Sequence, residues 1–183
     1  MSVAKGFVLL SVIRGAGDRI VSMCPTDQAW HSIRGTYALV LKLESPLELQ
    51  VGRLGSIRFE APYYLYFGSA FGPGGLGARI NHHLQPARHP HWHIDHLRQM
   101  TTVVGVWYTN DVAHLECDWA NAASAHRGVL PVPGFGSSDC GCYTHLIATP
   151  RFPSRSAFRR QLNAVHPGCA RIRQLQLARP HAA

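Results

Sequence analysis

One stretch, YYLYFGSAFGPGGLGARINHHL at residues 63–84, restricts the fold of this chain more than any other. Its Tyr-rich apolar start predicts a strand over residues 63–70. Five of the ten residues from 68 to 77 are glycine, so the backbone there can turn sharply or approach a ligand closely. Leu76, Ile80 and Leu84 then recur at helical spacing and predict a helix over residues 75–84. The combination predicts a pocket for a phosphate group, although an ordinary structural turn has the same composition.

The other segments predict an α+β fold, with a small mixed β-sheet flanked by helices. The first strand is predicted at 35–43, a hairpin excursion at 45–62, a buried strand at 101–109, and a last strand at the end of a loop spanning 131–149. Further helices are predicted at 92–99, 113–127 and 154–165. We divide the chain into a leader or added edge element (1–31), a central domain (32–149) and a basic Arg-rich helix and tail (150–183).

The charge distribution predicts a polyanionic partner. The net charge is +8, sixteen of the eighteen Lys and Arg residues are arginine, and no acidic residue follows Asp139. Arginine can bind phosphate through two parallel hydrogen bonds. The partner expected from this charge is nucleic acid, and DNA in particular. Arg155, Arg159 and Arg160 would supply some of the phosphate contacts. A solvated basic face with no ligand is the alternative.

Two places carry residues suited to phosphodiester chemistry. Arg79 and His83 lie four residues apart on the predicted helix and therefore share a face. The guanidinium can neutralise charge on a scissile phosphate, and the imidazole can orient or move a proton. Glu116, on the helix at 113–127, could hold Mg²⁺ or Mn²⁺ together with substrate oxygens and waters. The glycine turn matches neither the P-loop nor the dinucleotide fingerprint, so a nucleotide cofactor is not expected.

Several short motifs resemble a known family. GTY in the first strand, YFG in the next, an arginine in the following helix and a later helical glutamate resemble the GIY-YIG nuclease superfamily. The resemblance is closest to the branch catalogued as domain of unknown function 123, some of whose members are fused to endonuclease-III-like repair enzymes. GSAFGPGGLGARINHHL, HWHIDHL and GFGSSDCGCYTHL also resemble that branch, and the resemblance covers about residues 33–148.

The resemblance implies metal-dependent hydrolysis of DNA, in a repair or processing role. Glu116 would hold one Mg²⁺ or Mn²⁺, and Arg79 would stabilise the transition state. Tyr37, Tyr66 and His83 would orient and deprotonate the attacking water. Tyr66 and Gly68 would form the wall of a substrate-binding site, and Gly74 and Gly75 would let a backbone approach closely, with Arg79 and His83 supplying the charge. A non-catalytic nucleic-acid-binding module of the same fold, assisting a repair enzyme, is the main alternative.

The cysteines and histidines leave a second metal site open. Cys140, Cys142 and His145 are soft ligands for Zn²⁺, with His93 or Asp139 as the fourth. The alternative is a tight turn packed under the pocket, and a His/Cys metal-binding protein without nucleic-acid activity is the weakest function considered. Five cysteines, an odd number, do not predict a disulfide framework. Without a membrane-spanning segment, the composition predicts a soluble cytoplasmic protein.

Overall fold

A six-stranded antiparallel sheet forms the centre of the molecule, which is described by a computed structural model over residues 33–85, 87–168, 171–175 and 177. The predicted leader, 1–31, lies outside the described residues. The strands are Thr36–Leu43 (β1), Leu47–Gln50 (β2), Ser56–Phe59 (β3), Tyr63–Ser69 (β4), Thr101–Thr109 (β5), Leu130–Pro131 (β6), Leu146–Thr149 (β7) and Arg173–Leu175 (β8). The sheet order is β6-β7-β4-β1-β5-β8, while β2 and β3 form a separate hairpin.

Four helices cover the two faces of this sheet: Gly75–Leu84 (α1), His93–Arg98 (α2), Glu116–Ser124 (α3) and Arg155–Val165 (α4). The α+β fold class predicted from the sequence is confirmed, but the sheet is not mixed as predicted, because every strand pair of the described sheet is antiparallel. None of the described helices is long and apolar enough to cross a lipid bilayer.

Alternation along β1 separates the core into two layers. Tyr37, Leu39 and Leu41 face one side, where they pack with α1, α2 and the β2-β3 hairpin. Ala38 and Val40 face the other side, where Trp119 of α3 and Phe158 of α4 cover them. This division follows from the two-residue period of a strand. The helix with Arg79 and His83 therefore lies on the opposite face of the sheet from the Arg-rich helix.

Several elements differ from the sequence prediction, among them the two-residue strand β6, for which no strand is predicted. Helix α3 begins at Glu116 instead of residue 113, because Ala113 N donates to the Asp111 side chain in a turn. Leu115 N donates to Thr36 Oγ1 at 3.2 Å, which ties the start of α3 to β1. Strand β8 was not predicted, since three residues with two exposed side chains carry no apolar alternation. It nevertheless pairs with β5, so residues 173–175 are part of the sheet.

Candidate active site

Tyr37 and Tyr66 come together because β1 and β4 are neighbours in the sheet and both side chains point toward α1. Tyr37 pairs in register with Gly68 of β4. A Cβ atom at Gly68 would overlap the phenol ring and hydroxyl of Tyr37, so the ring can lie across the strand only because this residue is glycine. Gly68 is buried and acts here by making room for Tyr37. The glycine of the YFG motif thus has a packing role in this structure.

His83 completes this cluster from α1. Its Nε2 lies 2.7 Å from the Tyr37 hydroxyl, and its ring centroid lies 6.0 Å from that of Tyr66. Both Tyr37 and His83 are 2% exposed. Buried Arg98 donates from Nε to the main-chain oxygen of His83 at 2.6 Å, which fixes the end of α1. We call Tyr37, Tyr66 and His83 the Tyr-His cluster.

Burial controls the protonation of the Tyr-His cluster. It raises the pKa of Tyr37 well above the usual value of a phenol, an effect that Tyr66 reinforces and Arg79 opposes. It also raises the pKa of Tyr66, and the charge of Glu116 acts in the same direction. Burial lowers the pKa of His83 to about 3, with His82 and Arg79 adding to the effect. All three groups are therefore neutral near pH 7.

Because His83 is neutral when folded, acid should destabilise the protein through this residue. An unfolded histidine has a pKa of about 6.5, so the unfolded chain binds one more proton at this position between that pH and about pH 3. The free energy of unfolding should then fall with decreasing pH, by at most about 1.4 kcal/mol per pH unit from this group. Denaturation of wild type and His83→Asn from pH 7 to 4 should show a shallower slope in the variant. The exposed His126→Asn control should keep the wild-type slope, and parallel curves for wild type and His83→Asn would contradict this assignment.

Arg79 lies on α1 at the rim of an open cleft of about 270 Å³. Its guanidinium carbon is 4.3 Å from the centroid of the Trp92 ring, a cation–π contact that restrains the side chain. The cleft is also lined by Gly72, Pro73, Gly75 and His82. The glycine turn and Arg79 therefore share a pocket, whereas Tyr66, Gly68 and His83 do not line it. Whether a phosphate binds there stays a prediction.

The glycine turn itself is largely occupied by internal hydrogen bonds. Gly74 is the N-cap of α1 and adopts φ +81°, a conformation that favours glycine. Gly75 N donates to Gly72 O at 3.2 Å, and Leu76 N donates to Ile33 O at 2.8 Å. These two amide groups of the helix start are thus already paired within the protein.

Glu116 lies in the first turn of α3, beside His145. Its Oε1 lies 2.9 Å from Nδ1 of His145, the distance of an ion pair, although Nδ1 lacks the alignment of a hydrogen bond. The Glu116 side chain is 23% exposed. Its charge raises the pKa of both Tyr37 and Tyr66, so the carboxylate lies within electrostatic reach of the Tyr-His cluster. Of the five residues predicted to be catalytic, Tyr37 and Tyr66 both contact His83, whereas Arg79 and Glu116 act on the tyrosines through their charges.

The remaining predicted residues lie elsewhere. Arg155 and Arg159, with Arg171, line a groove of about 480 Å³ beside α4. Arg160 is exposed on the same helix. His93 accepts a hydrogen bond at Nδ1 from Gly136 N and does not join Cys140, Cys142 and His145. Asp139 is likewise outside that group.

Cys117 is the residue that sequence reasoning missed. Its ligand atom, with those of Cys140, Cys142 and His145, forms a group whose members lie within 4.8 Å of one another. Cys117 and Cys142 form a disulfide with a Cα–Cα distance of 6.1 Å, which the odd cysteine count did not predict. The sequence does not reveal this pair because the two cysteines are 25 residues apart. They meet only because the tertiary fold brings α3 to the loop before β7. The available signal was the position of Cys117, directly after Glu116.

The fold and site define an α+β protein with a tyrosine–histidine cluster on which the charges of an arginine and a glutamate act. The sequence matches the family described as Domain of unknown function DUF123 over residues 36–167, and the chain belongs to that family. The match includes α4, beyond the stretch that carries the motif resemblance. Comparison with curated proteins gave no match, and neither did comparison with solved structures.

Proposed function

We propose that this protein is a divalent-metal-dependent nuclease of the GIY-YIG superfamily that hydrolyses phosphodiester bonds of DNA, in repair or processing. The observation that most supports this is convergence. His83 of α1 contacts Tyr37 of β1 and Tyr66 of β4, and the charges of an arginine on α1 and a glutamate on α3 act on the two tyrosines. Each of these five residues stands where the chain resembles a superfamily motif. They are Tyr37, Tyr66, Arg79, His83 and Glu116.

The residues present fit a Mg²⁺ or Mn²⁺ ion. Glu116 is a partly exposed carboxylate, and Mg²⁺ commonly takes one or two carboxylates with waters and substrate phosphate oxygens. A bound cation would supply Lewis-acid stabilisation of the phosphate and leaving oxygen. Glu116 would hold it, and the charge of this carboxylate also acts on the two tyrosines.

Tyr37 and His83 are better suited to orient the attacking water than to deprotonate it unaided. The raised pKa of Tyr37 and the lowered pKa of His83 both oppose transfer of a proton between them. With the imidazole neutral, either Nε2–H donates to the Tyr37 oxygen or the hydroxyl donates to Nε2. In the first arrangement the phenolic proton remains free to donate to a water. The pair then acts as a fixed hydrogen-bonding group.

Arg79 is proposed to stabilise the charge that develops on the phosphate. Arg79→Ala should lower the cleavage rate by about 100- to 1,000-fold, the usual effect of removing one such group. The rate should be measured at saturating DNA, so that weaker binding does not account for the loss. The exposed Arg88→Ala offers a matched control and should cleave like wild type. Equal rates for wild type and Arg79→Ala would remove this residue from the mechanism.

A second candidate function is a non-catalytic DNA-binding module. It is favoured by the near-complete burial of Tyr37 and His83, and by the separate Arg-lined groove beside α4. Binding through that groove would require no access to the Tyr-His cluster. Salt-sensitive DNA binding without metal-dependent cleavage would support this function over the first.

The basic helix gives a prediction that concerns binding alone. Replacing Arg155, Arg159 and Arg160 together with glutamine should weaken duplex DNA binding and reduce its salt dependence. Each lost phosphate contact should lower the slope of log K against log salt concentration by about 0.9. Fluorescence anisotropy across a salt series measures this slope. Arg58→Gln is the control, since Glu60 already neutralises Arg58 at 2.8 Å. An unchanged slope in the triple variant would place the DNA on another surface.

A further inference from the structure

Three cysteines and one histidine converge beside Glu116, and a disulfide accounts for only two of them. Cys117 lies in the first turn of α3, and the other three lie in the loop that precedes β7. Nε2 of His145 is 3.4 Å from the Cys140 sulfur and 3.7 Å from the Cys117 sulfur. Cys140 is free and exposed, so the disulfide leaves its position next to His145 unexplained.

These separations match the edges of a tetrahedral zinc site. With Zn–S bonds of about 2.3 Å and Zn–N bonds of about 2.0–2.1 Å, a sulfur and a nitrogen bound to one zinc lie about 3.5 Å apart. Three cysteines and one histidine are among the common structural zinc ligand sets. Sulfur-rich donors also favour Zn²⁺ over Mg²⁺, which prefers oxygen.

The surroundings of His145 support the same assignment. The ring is 2% exposed, and while Nε2 faces the sulfurs, Nδ1 faces the Glu116 carboxylate at 2.9 Å. A carboxylate behind a ligating histidine commonly fixes the ring and strengthens it as a ligand. The backbone also holds His145: its N donates to Phe135 O at 2.7 Å, and its O accepts from Phe67 N at 2.9 Å.

We propose that, in the thiol form of the protein, Cys117, Cys140, Cys142 and His145 bind one Zn²⁺, with Glu116 orienting His145. The site would fasten the start of α3 to the loop before β7 and so position Glu116. The proposal does not depend on nuclease activity, because zinc binding can occur with or without cleavage.

Disulfide and zinc are alternative states of these side chains. A dithiol reductant gives two electrons and two protons to the Cys117–Cys142 bond, which yields two thiols and the oxidised reductant. Binding of Zn²⁺ then displaces three thiol protons to the buffer, one from each cysteine. An oxidant that accepts two electrons from the Cys117 and Cys142 thiolates would reform the bond and release the metal.

The test measures zinc per chain by elemental mass spectrometry in reduced, full-length protein after removal of loosely bound metal. Wild type should hold close to one zinc, and its Co²⁺-substituted form should show the strong sulfur charge-transfer and visible bands of tetrahedral coordination. Cys140→Ser is the informative variant, since it leaves Cys117 and Cys142 able to form the disulfide. It should lower zinc affinity by more than the roughly 10- to 100-fold expected for Glu116→Ala, which removes a group outside the ligand set.

Control variants separate zinc binding from general effects. His126→Asn changes an exposed histidine, and Asp118→Ala removes an acid from α3, the helix that carries Cys117. Both variants should bind as much zinc per chain as wild type. Reduced wild type that binds no zinc, or Cys140→Ser that binds it as tightly as wild type, would overturn the proposal. Zinc binding together with absent DNA cleavage would leave this site in place and contradict only the nuclease function.

Discussion

Glu116→Ala is expected to reduce Mg²⁺-dependent DNA cleavage by at least about 100- to 1,000-fold. The variant removes the carboxylate proposed to hold the cation, and a Lewis acid contributes several kcal/mol to stabilising such a transition state. DNA affinity should not fall, because the change removes a negative charge near the proposed substrate. The measurement is the initial cleavage rate at saturating DNA over a range of Mg²⁺ concentrations.

The matched control for this variant is Asp118→Ala. Asp118 lies on the same helix two residues further on, and its Oδ1 is 3.3 Å from His166 Nε2, away from His145. It should cleave at the wild-type rate. Glu116→Ala must also be shown to retain its folded stability, because Glu116 contacts buried His145. A folded Glu116→Ala protein that cleaves as fast as wild type would contradict the cation site.

Gly68→Ala is expected to destabilise the protein by about 1–3 kcal/mol, as overpacking of a filled core does. The added methyl group would overlap the phenol of Tyr37 and push its hydroxyl away from His83. For a chain of this size, each kcal/mol should lower the melting temperature by about 2–4 °C. Thermal denaturation measures the effect, and cleavage should fall with it because the Tyr-His cluster is disturbed.

Two further variants isolate the contact between Tyr37 and Gly68. Gly72→Ala adds a methyl group where nothing lies within 4 Å, and should change stability by no more than about 0.5 kcal/mol. In a double-mutant cycle, Tyr37→Ala should remove most of the extra cost of Gly68→Ala, because the ring that the methyl group meets is gone. Additive effects of the two changes would show that Gly68 matters for another reason.

Local patterns in the sequence predicted the secondary structure of the site well. The bounds of α1 and β5 agree with the predicted ranges, and those of β1, β4 and α4 agree to within one residue. Alternating apolar residues and glycine punctuation are properties of neighbouring positions, so they can be read without knowing the fold. The placement of Arg79 and His83 four residues apart on one helix is predictable for the same reason.

The contacts between elements could not be predicted in the same way. Tyr37 meets His83 across 46 positions, and that contact depends on the register that puts Gly68 opposite Tyr37. The contact of Glu116 with His145 depends on where α3 begins against β1, which the hydrogen bond from Leu115 N to Thr36 helps to fix. The C-x-C-x2-H motif of Cys140, Cys142 and His145 does not indicate Cys117, which lies far from it in sequence. The sequence prediction therefore gives His93 or Asp139 as the fourth ligand.

The central claim is that this protein cuts DNA with a divalent cation, and the most direct measurement is cleavage by purified wild type. Labelled single-stranded, duplex, nicked, flapped and abasic DNAs would be incubated with Mg²⁺, with Mn²⁺ and with a chelator. We predict cleavage of at least one substrate that requires the cation and stops on chelation. Intact DNA in every reaction, in a folded preparation that still binds DNA in a salt-dependent manner, would contradict the nuclease and leave the binding module.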